Sequence, residues 1–221
     1  MERNDKGPIG FTFEPEALII GGGDFPVHPI PLKLLACHDK VVYCDGAANQ
    51  WEKLNKRPWR IVGDGDSLSD EVRATFEDII RLNPDQETND LTKAITYLEN
   101  KGFRKIVILA ATGRREDHTL GNISLLMEYM KRGLDVRIYT DYGVFIPCCN
   151  EQTFRCEPGT AVSIFSFGTH NMTSKGLAYP LYDFTSLWQG TLNHTTEEIF
   201  TISCEGQYLV YLSYGNKKLR D

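Results

Sequence analysis

The sequence predicts an α/β domain followed by a small all-β domain. Two observations carry that expectation. From Ala17 to Thr140, short continuous Val/Ile/Leu runs alternate with longer amphipathic patterns. After Thr140 the helical period disappears, and short β-rich pieces are separated by clusters of Gly, Asn, Pro and Thr. Continuous apolar runs suit strands covered on both faces, and their alternation with helices gives a mainly parallel sheet with helices on both sides. The fold class of residues 1–142 is thus α/β with a doubly wound, Rossmann-like sheet.

The strands are read in order. Ala17–Ile20 ends at a triple glycine, Val41–Cys44 ends at Asp45-Gly46, and Arg60–Val62 ends at Gly63. Lys105–Ala110 ends near Gly113, and Val136–Tyr139 follows Gly133. Helix patterns cover Leu68 to Arg81, Asp90 to Lys101 and Asp117 to Arg132; the last aligns Leu120, Ile123, Leu126, Met127 and Met130 on one stripe. Asn83-Pro84 breaks the chain before the second helix. The all-β part, residues 143–221, offers Gly143–Pro147, Ala161–Phe167, Ile199–Cys204 and Tyr208–Tyr214 as strands. Glu205-Gly206-Gln207 reads as a tight hairpin turn between the last two. A small antiparallel sandwich or barrel follows.

Composition narrows the class. The 221 residues carry a formal net charge of −6, which argues against a nucleic-acid partner, since a phosphate backbone wants a basic face. A single nucleotide needs only a few placed donors and a metal. The six cysteines, Cys37, Cys44, Cys148, Cys149, Cys156 and Cys204, form no C-x-x-C pair and read as buried free thiols of a reducing, cytoplasmic compartment rather than a zinc site. The charged stretch Met1 to Gly10 has no apolar signal segment, and no run approaches the ~20 apolar residues of a membrane span. The expectation is a cytoplasmic protein with neither a membrane nor a nucleic-acid partner.

Polar groups recur where the strands end, the edge at which open parallel sheets bind ligands. Gly63-Asp64-Gly65-Asp66-Ser67 is the most specific. In an extended segment Asp64 and Asp66 point to the same side, and two convergent carboxylates call for a hard cation such as Mg²⁺. Asp90 supplies a third candidate oxygen ligand, although an aspartate also suits a helix N-terminus for its own sake. Arg115 can clamp phosphates, Asp117 can orient Arg115 or a substrate hydroxyl, and His118 is either a proton carrier or structural. Gly21-x-Gly23 lacks the third glycine of a dinucleotide fingerprint, and no P-loop is present.

Five stretches then resemble, in order and over nearly the whole chain, the thiamine pyrophosphokinase family. They are Asp45–Asn49, Gly63–Ser67, Asp85–Lys93, Gly113–Asn122 and Gly176–Leu181. The resemblance implies an α/β catalytic, ATP- and Mg²⁺-binding domain (1–142) and a β-sandwich domain for thiamine binding and dimerisation (143–221). It implies a transfer of the pyrophosphoryl group of ATP to thiamine, giving thiamine diphosphate and AMP, by a homodimer whose active site lies near the dimer interface. By carry-over, Asp64, Asp66 and Asp90 are the metal ligands and, with Arg115 and Asp117, the catalytic set. Asp45, Gly46, Gln86, Lys93, Gly113, His118 and Asn122 surround the nucleotide and pyrophosphate. Tyr179, Trp188 and Asn193 are the thiamine-side candidates; for the two aromatic rings the competing reading is sandwich core.

The sequence departs from the family at three places. Leu192-Asn193 stands where a Ser-Asn pair is usual, Asn89 stands where threonine is common, and Gly113-Arg114 replaces a frequent Gly-Gly. A pyrophosphokinase for a pterin alcohol, a metal-dependent glycosyltransferase and a non-catalytic thiamine or nucleotide sensor are the alternatives. The glycosyltransferase leaves Arg115, Asp117 and Asn122 unexplained. A sensor is expected to lose its metal carboxylates, and all are present.

Overall fold

A computed structural model describes residues 10–216. The chain divides into two compact units, residues 15–141 and residues 142–216 together with 10–14.

In the first unit the elements alternate. β1 (Ala17–Ile20), α1 (Pro29–Cys37), β2 (Val41–Cys44), β3 (Arg60–Gly63), α2 (Asp70–Phe76) and β4 (Ile80–Leu82) come first. α3 (Asp90–Asn100), β5 (Lys105–Leu109), α4 (Glu116–Lys131) and β6 (Asp135–Tyr139) complete the unit. The strands lie in the order β6-β5-β1-β2-β3-β4, and every pairing among them is parallel. The core is built as the continuous apolar runs require. Ala17 to Ile20, Val41 to Tyr43 and Ile106 to Leu109 are fully buried, each large side chain contributing about 1.5–3 kcal/mol. α3 packs on β1, β2 and β3, and α4 on β6. Capping suits these helices: Asn89 accepts the Thr92 N–H at the start of α3, and Glu116 and Asp117 lie in the first turn of α4, with Lys131 in its last.

Three expectations about this unit are corrected. The helix read from Leu68 to Arg81 ends at Phe76, and Ile80–Leu82 forms the edge strand β4. Three residues are too few to show a strand period, so the helical pattern absorbed them. α1 adds a helix that the sequence pattern does not mark; Pro29 and Pro31 obscure it, yet proline suits a first helical turn. Of the α4 stripe, Leu126 and Met127 are buried where the helix meets β6, Ile123 and Met130 are half-buried, and Leu120 is 68% exposed.

The second unit is antiparallel. β7 (Gly143–Cys149), β8 (Gln152–Arg155) and β9 (Thr160–Lys175) all pair with the long β11 (Ile199–Asn216), and the short β10 (Asn193–His194) pairs with β9. The hairpin expected at Glu205-Gly206-Gln207 is not formed. β11 runs straight through it, with register shifts on either side of Glu205. Gly206, at φ +107, lies so close to Gly168 that a Cβ would sit 2.3 Å from its carbonyl oxygen. The extra residues lie on β9, which advances three residues from Thr173 to His170 and three more to Phe167 while β11 advances two and two; Gly206 gives the bulged strand room rather than reversing the chain. All six cysteines are free; Cys44, Cys148 and Cys156 are buried as expected, but Cys37 and Cys149 are exposed. Among the described residues no helix is long and apolar enough to cross a membrane.

Candidate active site

β1 lies between β2 and β5, so the connections leave it in opposite directions and open a crevice at the carboxyl ends of these strands. The triple glycine makes that crevice. Gly23 donates to the Ala110 carbonyl at 2.7 Å, and the next residue, Asp24, donates to Thr112 at 2.8 Å. A Cβ on Gly23 would lie 2.2 Å from the Thr112 oxygen, and one on Gly21 would lie 2.7 Å from the Ala110 oxygen. Only glycine lets these two strand ends close so tightly. Over Gly22 the space is open. The crevice widens into a cleft of about 500 Å³ lined by the glycines and by Asp64, Gln86, Asp90, Lys93 and Asn122, among others.

The acidic side of the cleft begins at the end of β2. Asp45 is buried at φ +25, and Gly63 makes room for it, since a Cβ there would stand 2.5 Å from the Asp45 Cβ. Its Oδ2 accepts the Ser67 N–H at 3.1 Å. Its Oδ1 is buried and has no hydrogen-bond partner among the described residues. Burial raises the Asp45 pKa, against the pull of the Ser67 bond and with help from the neighbouring carboxylates. Among the described residues, carboxylate oxygens of Asp45, Asp64 and Asp66 lie within 4.8 Å of one another. A buried oxygen with no partner among the described residues, beside two more carboxylates, fits a hard cation.

Asp64 and Asp66 converge by a turn rather than by extended alternation. β3 ends at Gly63, Gly65 adopts φ +87, and the Asp66 N–H returns to Asp64 Oδ1 at 3.2 Å. That backbone bond, followed by the Gln86 side chain at 3.3 Å, lowers the Asp64 pKa. Lys93 on α3 is buried between two carboxylates, 3.4 Å from Asp64 Oδ2 and 3.1 Å from Asp90 Oδ1. Burial works against its charge, but the bonds and charges of Asp90 and Asp64 outweigh it, and the ammonium ends above its ordinary pKa. Asp90 thus joins the cluster by way of Lys93, while Asp45 completes the closest oxygen triad. The sequence marks Asp45 as a polar neighbour of the nucleotide, not as part of that triad; its burial arises from the β2–β3 packing and leaves no mark in the sequence.

The basic side comes from the β5–α4 connection. His118 and Asn122 line the cleft, Asn122 being fixed by its bonds to Ala111 O at 2.8 Å and from Asn89 Nδ2 at 3.2 Å. Gly113 has φ +100 and packs against Asp24. Gly46 lines the cleft against Ser67. Arg115 and Asp117 form a two-bond pair, Nε to Oδ1 at 3.1 Å and Nη2 to Oδ2 at 2.6 Å, which pulls the Asp117 pKa down to about 2. Arg115 lines a smaller adjoining recess of about 280 Å³, whereas Arg114 lines both. Arg114 is a lining residue beyond those the sequence marks; its only signal there is its place in a glycine-glycine position of the family pattern.

In the second unit a recess of about 390 Å³ is lined by Tyr179, Leu181, Tyr182, Phe184, Leu192 and Asn193, among others. Tyr179 is 61% exposed and Trp188 is 73% exposed, so neither is core. Trp188 lies outside the recess, beside its rim residues Gln189 and Gly190.

Comparison with known proteins places both units. The family model described as thiamin pyrophosphokinase, catalytic domain, matches residues 32–138. The model described as thiamin pyrophosphokinase, substrate-binding domain, matches residues 143–211. The chain is 26% identical over 184 residues to thiamine pyrophosphokinase 1 of Oryza sativa subsp. japonica, covering 74% of this chain and 69% of the relative. It is 28% identical over 218 residues to thiamine pyrophosphokinase 2 of Arabidopsis thaliana, covering 81% and 80%. The crystal structure of thiamine pyrophosphokinase from Bacillus subtilis shares the fold, with a TM-score of 0.74 at 22% identity, over 89% of this chain and 98% of that one.

Proposed function

Since the chain belongs to the thiamin pyrophosphokinase family, we propose that it transfers the pyrophosphoryl group of ATP to the hydroxyl of thiamine, giving thiamine diphosphate and AMP. The observation that carries this reading is the acidic triad Asp45–Asp64–Asp66 facing a glycine-lined cleft, with buried Lys93 beside it. A pterin alcohol is the weaker acceptor, because the substrate-binding model covers the whole second unit's centre. We read residues 1–142 as the ATP- and Mg²⁺-binding domain, with a doubly wound, Rossmann-like sheet, and residues 143–221 as a thiamine-binding and dimerising sandwich. The same reading makes the protein a cytoplasmic homodimer with its active site near the dimer interface.

Asp64, Asp66 and either Asp45 or Asp90 would hold Mg²⁺. The ion, when bound, would neutralise charge on the phosphate oxygens. The chain's own groups supply the rest by placement and charge, as phosphoryl transfer generally requires. The open face of Gly22 admits phosphate against the backbone. Lys93 keeps the carboxylates from repelling one another and offers a cation to the transferring group. Arg114 and Arg115 face the same recess and are suited to phosphate oxygens. Asp117, bound through both oxygens to Arg115 and with a pKa near 2, is a poor base; its part is to aim the guanidinium.

AMP release from ATP and Mg²⁺ by the purified protein, measured with and without thiamine, tests the assignment. Release that does not depend on thiamine defeats it. Asp66→Asn with unchanged turnover defeats the metal assignment while leaving the reaction standing.

A further inference from the structure

We propose that Asn193 is a positioning residue that acts through Tyr179 and does not itself touch the acceptor. This inference rests on the reading of the second unit's recess as the thiamine site. The segment Gly176–Ala178 is zipped to the chain around β10: Thr196 donates to Gly176 O at 2.9 Å, Leu177 bridges Thr195, and Ala178 donates to His194 O at 2.9 Å. By that register Tyr179 stands opposite Asn193, whose main chain is in register with Val162 of β9, and no main-chain rung reaches Tyr179 there among the described residues.

The Asn193 side chain supplies that rung. Its Oδ1 accepts the Tyr179 N–H at 3.1 Å, and its Nδ2 donates to the Tyr179 carbonyl at 2.8 Å. One carboxamide thus satisfies both backbone groups of one residue. These partners also fix which amide atom is oxygen, since a backbone N–H can only donate and a carbonyl can only accept. Oδ1 takes a second bond from the His194 N–H at 2.9 Å, so both of its lone pairs are used. Asn193 is buried, with 4% of its surface exposed. Asn193 borders the recess, but its Oδ1 is taken by the Tyr179 and His194 N–H groups and its Nδ2 is turned to the Tyr179 carbonyl, so the more exposed side chain there is the one it holds. The Tyr179 ring stands out at the rim, edge-on to the His194 imidazole at 6.0 Å and 84°.

Removing the rung should therefore loosen Tyr179 and, through it, the acceptor. Steady-state kinetics of Asn193→Asp, Asn193→Ala, Tyr179→Ala and the double variant Tyr179→Ala/Asn193→Ala test this, with KM for thiamine and KM for ATP read separately. The near-isosteric Asn193→Asp keeps the Tyr179 N–H bond but sets an oxygen against the Tyr179 carbonyl, so it serves where Asn193→Ala fails to fold. The expected result is a KM for thiamine raised about tenfold by either Asn193 change, the size of one lost hydrogen bond. KM for ATP should stay within about twofold. Once Tyr179 is alanine, adding Asn193→Ala should raise KM for thiamine by less than about twofold, because the two changes remove one function. Equal factors in both backgrounds would mean that Asn193 meets the acceptor directly, and the proposal falls. A lowered melting temperature with unchanged KM for thiamine also overturns it. Absence of thiamine-dependent AMP release from the unsubstituted protein overturns the reading of the recess as well, and so separates that failure from the other two.

Discussion

The ammonium of Lys93 on α3 lies 3.4 Å from Asp64 Oδ2 at the end of β3, a contact between groups 29 positions apart in the sequence. It binds the helix that follows β4 to the strand end that carries the Asp64–Asp66 turn. Lys93 is buried, while its partners keep some contact with water. Lys93→Met keeps the length of the side chain and removes its charge. Turnover should fall by about 100-fold or more, the scale of a lost electrostatic contact in a water-poor site. Stability should drop by about 1–3 kcal/mol, below the cost of orphaning a fully buried charge. AMP release and thermal melts measure the two. Turnover within a few-fold of the unsubstituted protein would show that Lys93 is a structural counter-ion only.

The glycine ridge separates two demands that the sequence presents as one run of three. Gly23→Ala puts a Cβ within 2.2 Å of the Thr112 oxygen and 2.7 Å of the Ala110 oxygen, so β1 and β5 must part. The expected cost is about 1–3 kcal/mol or more. Gly22→Ala meets nothing within 4 Å and should change stability by less than about 0.5 kcal/mol. Its effect should fall on KM for ATP, which the new methyl group raises by intruding on the open face of the cleft. Equal melting temperatures for the two variants would sink this division of roles.

That pair marks how far the sequence can be read. The runs Ala17–Ile20, Val41–Cys44 and Ile106–Leu109 are buried on both faces, so their apolar continuity names them as strands without any tertiary knowledge. Asp64 and Asp66 are legible because glycines flank them. Asp45 is different. Its burial beside Gly63 and its unpartnered Oδ1 come from two strands meeting, which no local pattern records. β4 hides inside a helical period because an edge strand of three residues needs no pattern of its own. Gly206 reads as a turn because φ > 0 serves bulges and hairpins alike, and only the partner strand decides between them.

Leu192 is a strained residue at the rim of the second unit's recess. Leucine at φ +70 is unfavourable by about 1–2 kcal/mol, and with 73% of its surface exposed the side chain returns little by burial. Leu192→Gly removes the strain, at about 0.5–1 kcal/mol of added chain entropy. The variant should be as stable as the unsubstituted protein or up to about 1 kcal/mol more stable. Leu192→Val, whose branched Cβ suits this region least, should be the less stable of the two. Chemical denaturation of both variants gives the ranking. If glycine proves the worse residue here, the leucine side chain makes contacts in solution that its exposure does not reveal.

Glu16 gives the fold a pH-dependent clasp far from the carboxylate triad. Its Oε2 accepts the N–H groups of Arg104 at 2.6 Å and Lys105 at 3.0 Å, tying the start of β1 to the start of β5. The Arg104 bond and then the Lys105 bond lower its pKa, outweighing a small opposing effect of burial. A carboxyl group with a depressed folded pKa binds its proton more weakly in the native state. Its stabilisation is therefore complete above the unfolded value of about 4.3 and is lost as pH falls through the lower folded value. Glu16→Ala should melt below the unsubstituted protein at pH 7, with a constant gap down to about pH 5. The two melting curves should then converge as acid protonates the native carboxylate. The side chain is solvent-exposed, so the gap at neutral pH should be modest and should survive added salt only in its hydrogen-bonded part. A gap that persists unchanged to pH 3 would mean that the clasp acts through packing of the glutamate stem and not through its charge.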